Sequence, residues 1–176
     1  MFRVGDIVGC PADLRQKALA KLITPYSDRW HFLIIAGKCF NGDWVIYESL
    51  AKGVSPGRMS FYRDTHIKVY RVPDPDAACR AAEEASNLGR LGYDYILYIW
   101  MLWQAMGYWL HAGLKPVPYQ VFKQDADRNV ICTELIAECY QNAGYPIVPR
   151  DTIPTPAAIE QAYLEKRIEL VFTGIW

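Results

Sequence analysis

The chain has no charge imbalance: 19 basic and 19 acidic side chains cancel over 176 residues, and no run of five or six like charges occurs. Binding a phosphate backbone or an anionic bilayer requires clustered cations, so neither nucleic acid nor a charged membrane surface is an expected partner. Histidine is scarce, at three residues, and none of the five cysteines forms a Cys-x-x-Cys pair. That composition excludes a zinc knuckle and a disulfide framework, leaves at least one thiol unpaired, and gives no reason to expect a metal or a cofactor. There is no internal repeat and no Gly/Ser linker, so the length reads as one domain spanning residues 1–176. The first residues, Met-Phe-Arg-Val-Gly-Asp-Ile-Val, contain no apolar stretch of signal-peptide length. A reducing, cytoplasmic setting is therefore the expectation, although a phage product or a chain whose leader has been removed has the same appearance.

What is present is apolar content, 52% of residues, in a chain long enough to bury roughly 70% of its unfolded surface. Disorder is excluded. The pattern changes about every fifteen residues. Val4–Val8 reads as a strand and Asp13–Ile23 as a helix that stops before Pro25. His31–Gly37 and Asp43–Leu50 read as two strands joined across Asn41-Gly42, a hairpin signal. A strand follows over His66–Val72. Asp74-Pro75 supplies a cap and first-turn proline for an Ala-rich helix that reaches Leu88. After an aromatic stretch and a polar loop (Lys123–Asn129), a helix starts near Cys132 and closes at Gly144. Thr155-Pro156 opens a last helix to about Arg167, and Glu169–Phe172 is a final strand. The fold class is α+β, an antiparallel sheet packed against helices.

Hairpin register decides which side chains share a face. A four-residue loop, Lys38–Asn41, makes Glu48 oppose His31, with Cβ atoms ~4.5–5.5 Å apart, close enough for the carboxylate to accept an imidazole N–H. A two-residue turn at Asn41-Gly42 makes Glu48 oppose Ile35 instead and separates the pair by ~13 Å. Both registers put His31 and Glu48 on the same face. Cys132 stands at or near a helix start, where backbone N–H groups and the helix dipole favour a thiolate and are placed to hold an oxyanion. Its alternative role is core: Cys132, Leu135, Ile136, Cys139, Tyr140 and Ala143 form an apolar stripe at helical spacing. Cys10, Cys39, Cys79 and Cys139 have no motif around them and read as packing. His66 reads as a surface residue.

Taken in order, a Gly-Asp-Ile-Val opening, His31-Phe-Leu-Ile-Ile, Val45-Ile-Tyr-Glu48, Gly92-Tyr93-Asp94 and Cys132-Thr-Glu-Leu-Ile resemble the circularly permuted NlpC-type papain-like thiol hydrolases. The resemblance spans most of the chain and extends to Pro154-Thr-Pro156 before the last helix. It implies a permuted papain-like fold in which the Cys-bearing helix comes late. It also implies Cys132 as nucleophile, His31 as general base and Glu48 as the residue that orients the imidazole. Tyr93 then lies beside the nucleophile and, with Thr133, lines the substrate site. This chain departs from the family in having Ile131 where an aromatic residue usually precedes the Cys. It also carries an aromatic insert over about residues 95–120.

Residues 95–114 of that insert contain no Asp, Glu, Lys or Arg. Gln104, Gly107 and His111 interrupt the run, which favours a buried helix or an apolar wall offering lipid or protein contact over a membrane span. Three functions follow as expectations. The first is a cysteine amidase or peptidase acting on a peptide substrate, of cell-wall type if the resemblance extends so far. The second is a lipid or thioester acyl hydrolase or acyltransferase, an activity found in the related lecithin:retinol acyltransferase group. The third is a binding or assembly protein that keeps the fold without the chemistry. Oligomeric state is not readable from the sequence.

Overall fold

The computed structural model describes residues 2–11, 27–50, 52–89, 91–92, 95–113, 115, 117, 130–150 and 153–176, with residues 95–102 as backbone. The helix expected over Asp13–Ile23, Tyr93 and the polar loop Lys123–Asn129 lie outside the described residues. Six strands form one antiparallel sheet: β1 (Ile7–Cys10), β2 (His31–Lys38), β3 (Trp44–Leu50), β4 (Gly53–Arg58), β5 (His66–Arg71) and β6 (Glu169–Ile175). Their spatial order is β4-β3-β2-β1-β5-β6, and every neighbouring pair is antiparallel. The helices among the described residues are α1 (Pro75–Asn87), α2 (Tyr95–Ala112), α3 (Cys132–Asn142) and α4 (Pro156–Leu164). A 3-10 turn, Met59–Tyr62, follows β4.

β2 reads as a continuous apolar run because both faces of the sheet's middle are covered. Ile7, Phe32, Ile34 and Tyr70 point to the side where α1, α3 and α4 pack, joining Ala81, Leu135, Ile136, Tyr140 and Ile159. Val8, Leu33, Ile35, Ile46, Ile67 and Val69 point to the other side, where Phe2 and Met59 close a second apolar cluster. The helix caps follow from the sequence. Asp74 accepts from the N–H groups of Asp76 and Ala77 at 2.9 and 3.0 Å, and Thr155 Oγ1 accepts from Ala158 N–H at 3.3 Å. The buried alanines of α1 permit close approach. At Gly5, φ +83°, a Cβ would sit 2.4 Å from the Ala78 carbonyl oxygen, so only glycine fits between β1 and α1.

Three boundaries are shifted from the sequence reading, and one strand is new to it. β1 starts at Ile7 rather than Val4, because Gly5 takes a positive φ and Asp6 N–H bonds back to the Arg3 carbonyl. α4 stops at Leu164, where Lys166 at φ 60° and the Arg167 N–H to Ala162 carbonyl bond turn the chain before the expected end near Arg167. β6 runs on to Ile175, paired with His66. β4 has no counterpart in the reading, since Gly53, Pro56 and Gly57 break the strand pattern. A proline is nevertheless tolerated there, because β4 is an edge strand and a missing N–H can face outward. No helix among the described residues is long and apolar enough to cross a membrane.

Candidate active site

The hairpin that carries His31 and Glu48 has neither of the two expected loops. The loop is three residues, Phe40-Asn41-Gly42, closed by the Cys39 N–H to Asp43 carbonyl bond at 2.7 Å, with Gly42 at φ +87°. Next to it Lys38 opposes Trp44 and Gly37 opposes Val45. Continued unchanged, that register would set Glu48 opposite Ile34, on the helix-facing side and away from His31. A β-bulge between Ile35 and Gly37 inserts Ala36 and shifts the pairing by one, so Ile35 opposes Ile46 and Leu33 opposes Glu48. The odd loop and the bulge cancel, and His31 becomes the diagonal neighbour of Glu48 on one face. At that diagonal, ~7–8 Å between backbones, two long side chains still meet: His31 Nε2 lies 2.8 Å from Glu48 Oε2.

Cys132 begins α3, so the sequence placed it correctly at the start of a late helix. The helix start is held by Glu134, whose Oε2 accepts from the Ile131 N–H at 3.0 Å. It is also tied to the hairpin. Ser49, the residue after Glu48, donates its hydroxyl to the Val130 carbonyl at 2.6 Å in the interior. The Cys132 thiol lies 3.8 Å from the Trp30 carbonyl oxygen, beside the first residue of β2, and is close enough to the His31 imidazole to raise its pKa. The expected trio is therefore brought to one end of the hairpin, the imidazole on the carboxylate and the thiol beside the start of the strand that carries the imidazole.

The electrostatics follow from burial and from these partners. Burial alone would lower the His31 pKa, but the neighbouring Cys132 and the hydrogen-bonded Glu48 carboxylate outweigh it and raise the imidazole from 6.5 to about 9. Burial pushes the Glu48 carboxyl up, and the hydrogen bonds from His31 and Tyr62 with the His31 charge more than reverse it, leaving it below its ordinary value. Cys10 opposes His31 from β1. Burial first, then the Glu48 and Cys132 charges, hold its thiol up at about 12, against the opposing pull of Arg29. Two thiols thus flank one imidazole, and Cys10 stays protonated and inert.

Of the other candidates, Thr133 is fully buried, and its Oγ1 has no hydrogen-bond partner among the described residues. Tyr93 lies outside them. His66 is exposed, as expected, and its Nδ1 accepts from Arg29 at 3.0 Å. Cys10 and Cys139 are buried, whereas Cys79 is exposed and does not pack as expected. Among the described residues no group of three His, Cys, Asp or Glu is arranged to hold a metal ion.

Two contributors escaped the sequence reading. Tyr62, from the 3-10 turn, donates its hydroxyl to Glu48 Oε2, and its ring lies 6.2 Å from the His31 ring at 19° from parallel. Gly57 on β4 leaves room for the carboxylate: a Cβ there would lie 3.1 Å from Glu48 Oε1. Both depend on β4 folding back along β3, and the Pro-Gly pattern that hides β4 hides them as well. Ser49, by contrast, sits next to Glu48 in the sequence, but nothing local identifies Val130 as its partner. Compared with models of known protein families and with curated proteins, the sequence matches none.

Proposed function

We propose that this chain is a cysteine hydrolase of the permuted papain-like type, cleaving amide or peptide bonds through Cys132, His31 and Glu48. The observation that carries the reading is the His31 imidazole on the Glu48 carboxylate at 2.8 Å, with the Cys132 thiol at the helix start 3.8 Å from the carbonyl of the residue before His31. His31 accepts the Cys132 proton, giving a thiolate and an imidazolium that faces Glu48. The thiolate sulfur attacks the carbonyl carbon, and backbone N–H groups of the first turn of α3 stabilise the oxyanion. Collapse of the tetrahedral intermediate breaks the C–N bond, and the imidazolium gives its proton to the leaving amine. Water, deprotonated by His31, then attacks the thioester, releases the carboxylic acid and regenerates the thiol. A cell-wall-type peptide is the substrate class implied by the sequence resemblance.

A second reading is supported by α2. Trp103, Met106 and Leu110 are 65%, 47% and 85% exposed at helical spacing, an apolar stripe suited to an acyl chain. Cys132, His31 and Glu48 would then act on an ester or thioester.

The deciding measurement is the alkylation rate of each cysteine against pH, read by peptide mass spectrometry for the native protein and for His31→Ala. Cys132 is expected to react fastest at pH 6 and to slow ~10-fold without His31, since a lost thiolate fraction is partly offset by the greater nucleophilicity of a more basic thiol. A Cys132 that reacts no faster than Cys10 or Cys139 would overturn the reading. Peptide amides and long-chain esters, offered in parallel, separate the two substrate classes.

A further inference from the structure

Glu48 Oε2 receives two donors, the His31 ring N–H at 2.8 Å and the Tyr62 hydroxyl. A carboxylate held by one donor keeps much of its terminal torsion, which is broad and roughly two-fold. A second donor on the same oxygen removes that freedom, and Oε1 is confined from the other side by the backbone at Gly57. Tyr62 is a donor throughout the accessible pH range, because burial and then the Glu48 carboxylate push its hydroxyl pKa up. Its ring also borders the imidazole almost in parallel.

We propose that Tyr62 is a positioning residue of this site: it pins Glu48 Oε2 against His31 Nε2, and so keeps the other face of the imidazole turned to Cys132. The inference rests on the hydrolase reading for its consequence in catalysis, but the coupling itself is a property of the folded chain. The titratable groups around His31 are Cys10 from β1, Glu48 from β3, Cys132 from α3 and Tyr62 from the 3-10 turn. Arg29, two residues before, is turned to His66 and Asp28. Cys10 and Tyr62 remain neutral, so the carboxylate charge that reaches the imidazole is that of Glu48. Freeing the Glu48 carboxylate therefore acts on His31 directly.

The test is a proton NMR titration of the three histidines, assigned by substituting His66 and His111, in the native protein, Tyr62→Phe and Glu48→Gln. Tyr62→Phe removes the hydroxyl and keeps the ring. The His31 midpoint is expected to fall by at least ~0.5 pH unit toward its unperturbed value in Tyr62→Phe and further in Glu48→Gln, while His66 and His111 hold. A His31 midpoint that stays or rises in a folded Tyr62→Phe protein overturns the proposal. If that variant does not fold, Gly57→Ala crowds the same carboxylate from the Oε1 side, and an unmoved midpoint there is equally decisive. A shifted midpoint together with a slow Cys132 would retain the positioning role and reject the hydrolase. A fast Cys132 with an unmoved midpoint would do the reverse.

Discussion

Strand β1 has a buried carboxylate contact at each end, and the two are built differently. Just before its start, Asp6, 1% exposed, accepts two bonds from the Arg71 guanidinium at 2.7 Å each and a third from the Arg3 N–H. At its far end Cys10 opposes His31, whose imidazole meets Glu48. Both carboxylates lie inside the fold and both are paired from a neighbouring strand. The partner decides what each corner does. Arg71 carries a permanent charge that Asp6 strengthens, so the first pair only holds β1 and β5 together. Histidine can give up its proton, and it stands beside a thiol, so the second pair can move a proton as well as hold strands. A charge that cannot change locks structure, whereas one that can change within the working pH range supports chemistry.

The strongest way to break this contrast is Glu48→Gln. Hydrolytic kcat/KM is expected to fall ~10²-fold on the peptide or ester substrate, since the imidazole loses its orienting charge, while circular dichroism stays native. Asp6→Asn should do the opposite: stability measured by urea unfolding falls by about 2 kcal/mol as a buried charge-assisted bidentate contact is lost, with the His31 titration and the Cys132 alkylation rate unchanged. An altered His31 midpoint in Asp6→Asn would erase the distinction between the corners.

A pH scan of stability sharpens it. His31 is raised in the folded state, so its contribution is complete below 6.5 and is lost as pH rises through about 9. Glu48 is lowered, so its contribution is present above its ordinary 4.5 and is lost as pH falls through its depressed value. Urea midpoints should therefore decline between pH 6.5 and about 9, and Glu48→Gln should flatten that decline whereas Asp6→Asn should not. Hydrolysis should fall above pH about 9, where the imidazolium that protonates the leaving amine is gone, while alkylation of Cys132 does not fall. The smallest expected effect is that of Ser49→Ala. Removing the bond to the Val130 carbonyl costs about 1 kcal/mol in urea unfolding and slows Cys132 alkylation two- to three-fold, because the α3 start loses its tether to β3.

Much of the scaffold is readable along the chain because its causes are local. Asp74-Pro75 and Thr155-Pro156 are caps whose donors lie within three residues, and the apolar run of β2 announces a strand covered on both faces. Cys132 at a helix start is local in the same sense. The pairing of His31 with Glu48 is not. Their shared face depends on the parity of every residue between them, and parity is set by a three-residue loop and by one bulged alanine, Ala36, that restores what the loop reverses. Each irregularity alone would turn Glu48 to the opposite face. Nothing in Ile35-Ala36-Gly37 declares a bulge; it forms because apolar residues on both strands must meet the same two cores.

Tyr62, Gly57 and Ser49 belong to the same class. Their partners lie 9 to 81 residues away along the chain and meet them only after β4 has folded along β3 and α3 has docked against the hairpin. Sequence alone carried the candidate residues and the elements that bear them, because side-chain chemistry and helix or strand periodicity act over a few residues. Tertiary structure decided which of them meet, because face, register and distance are set by the whole path of the chain.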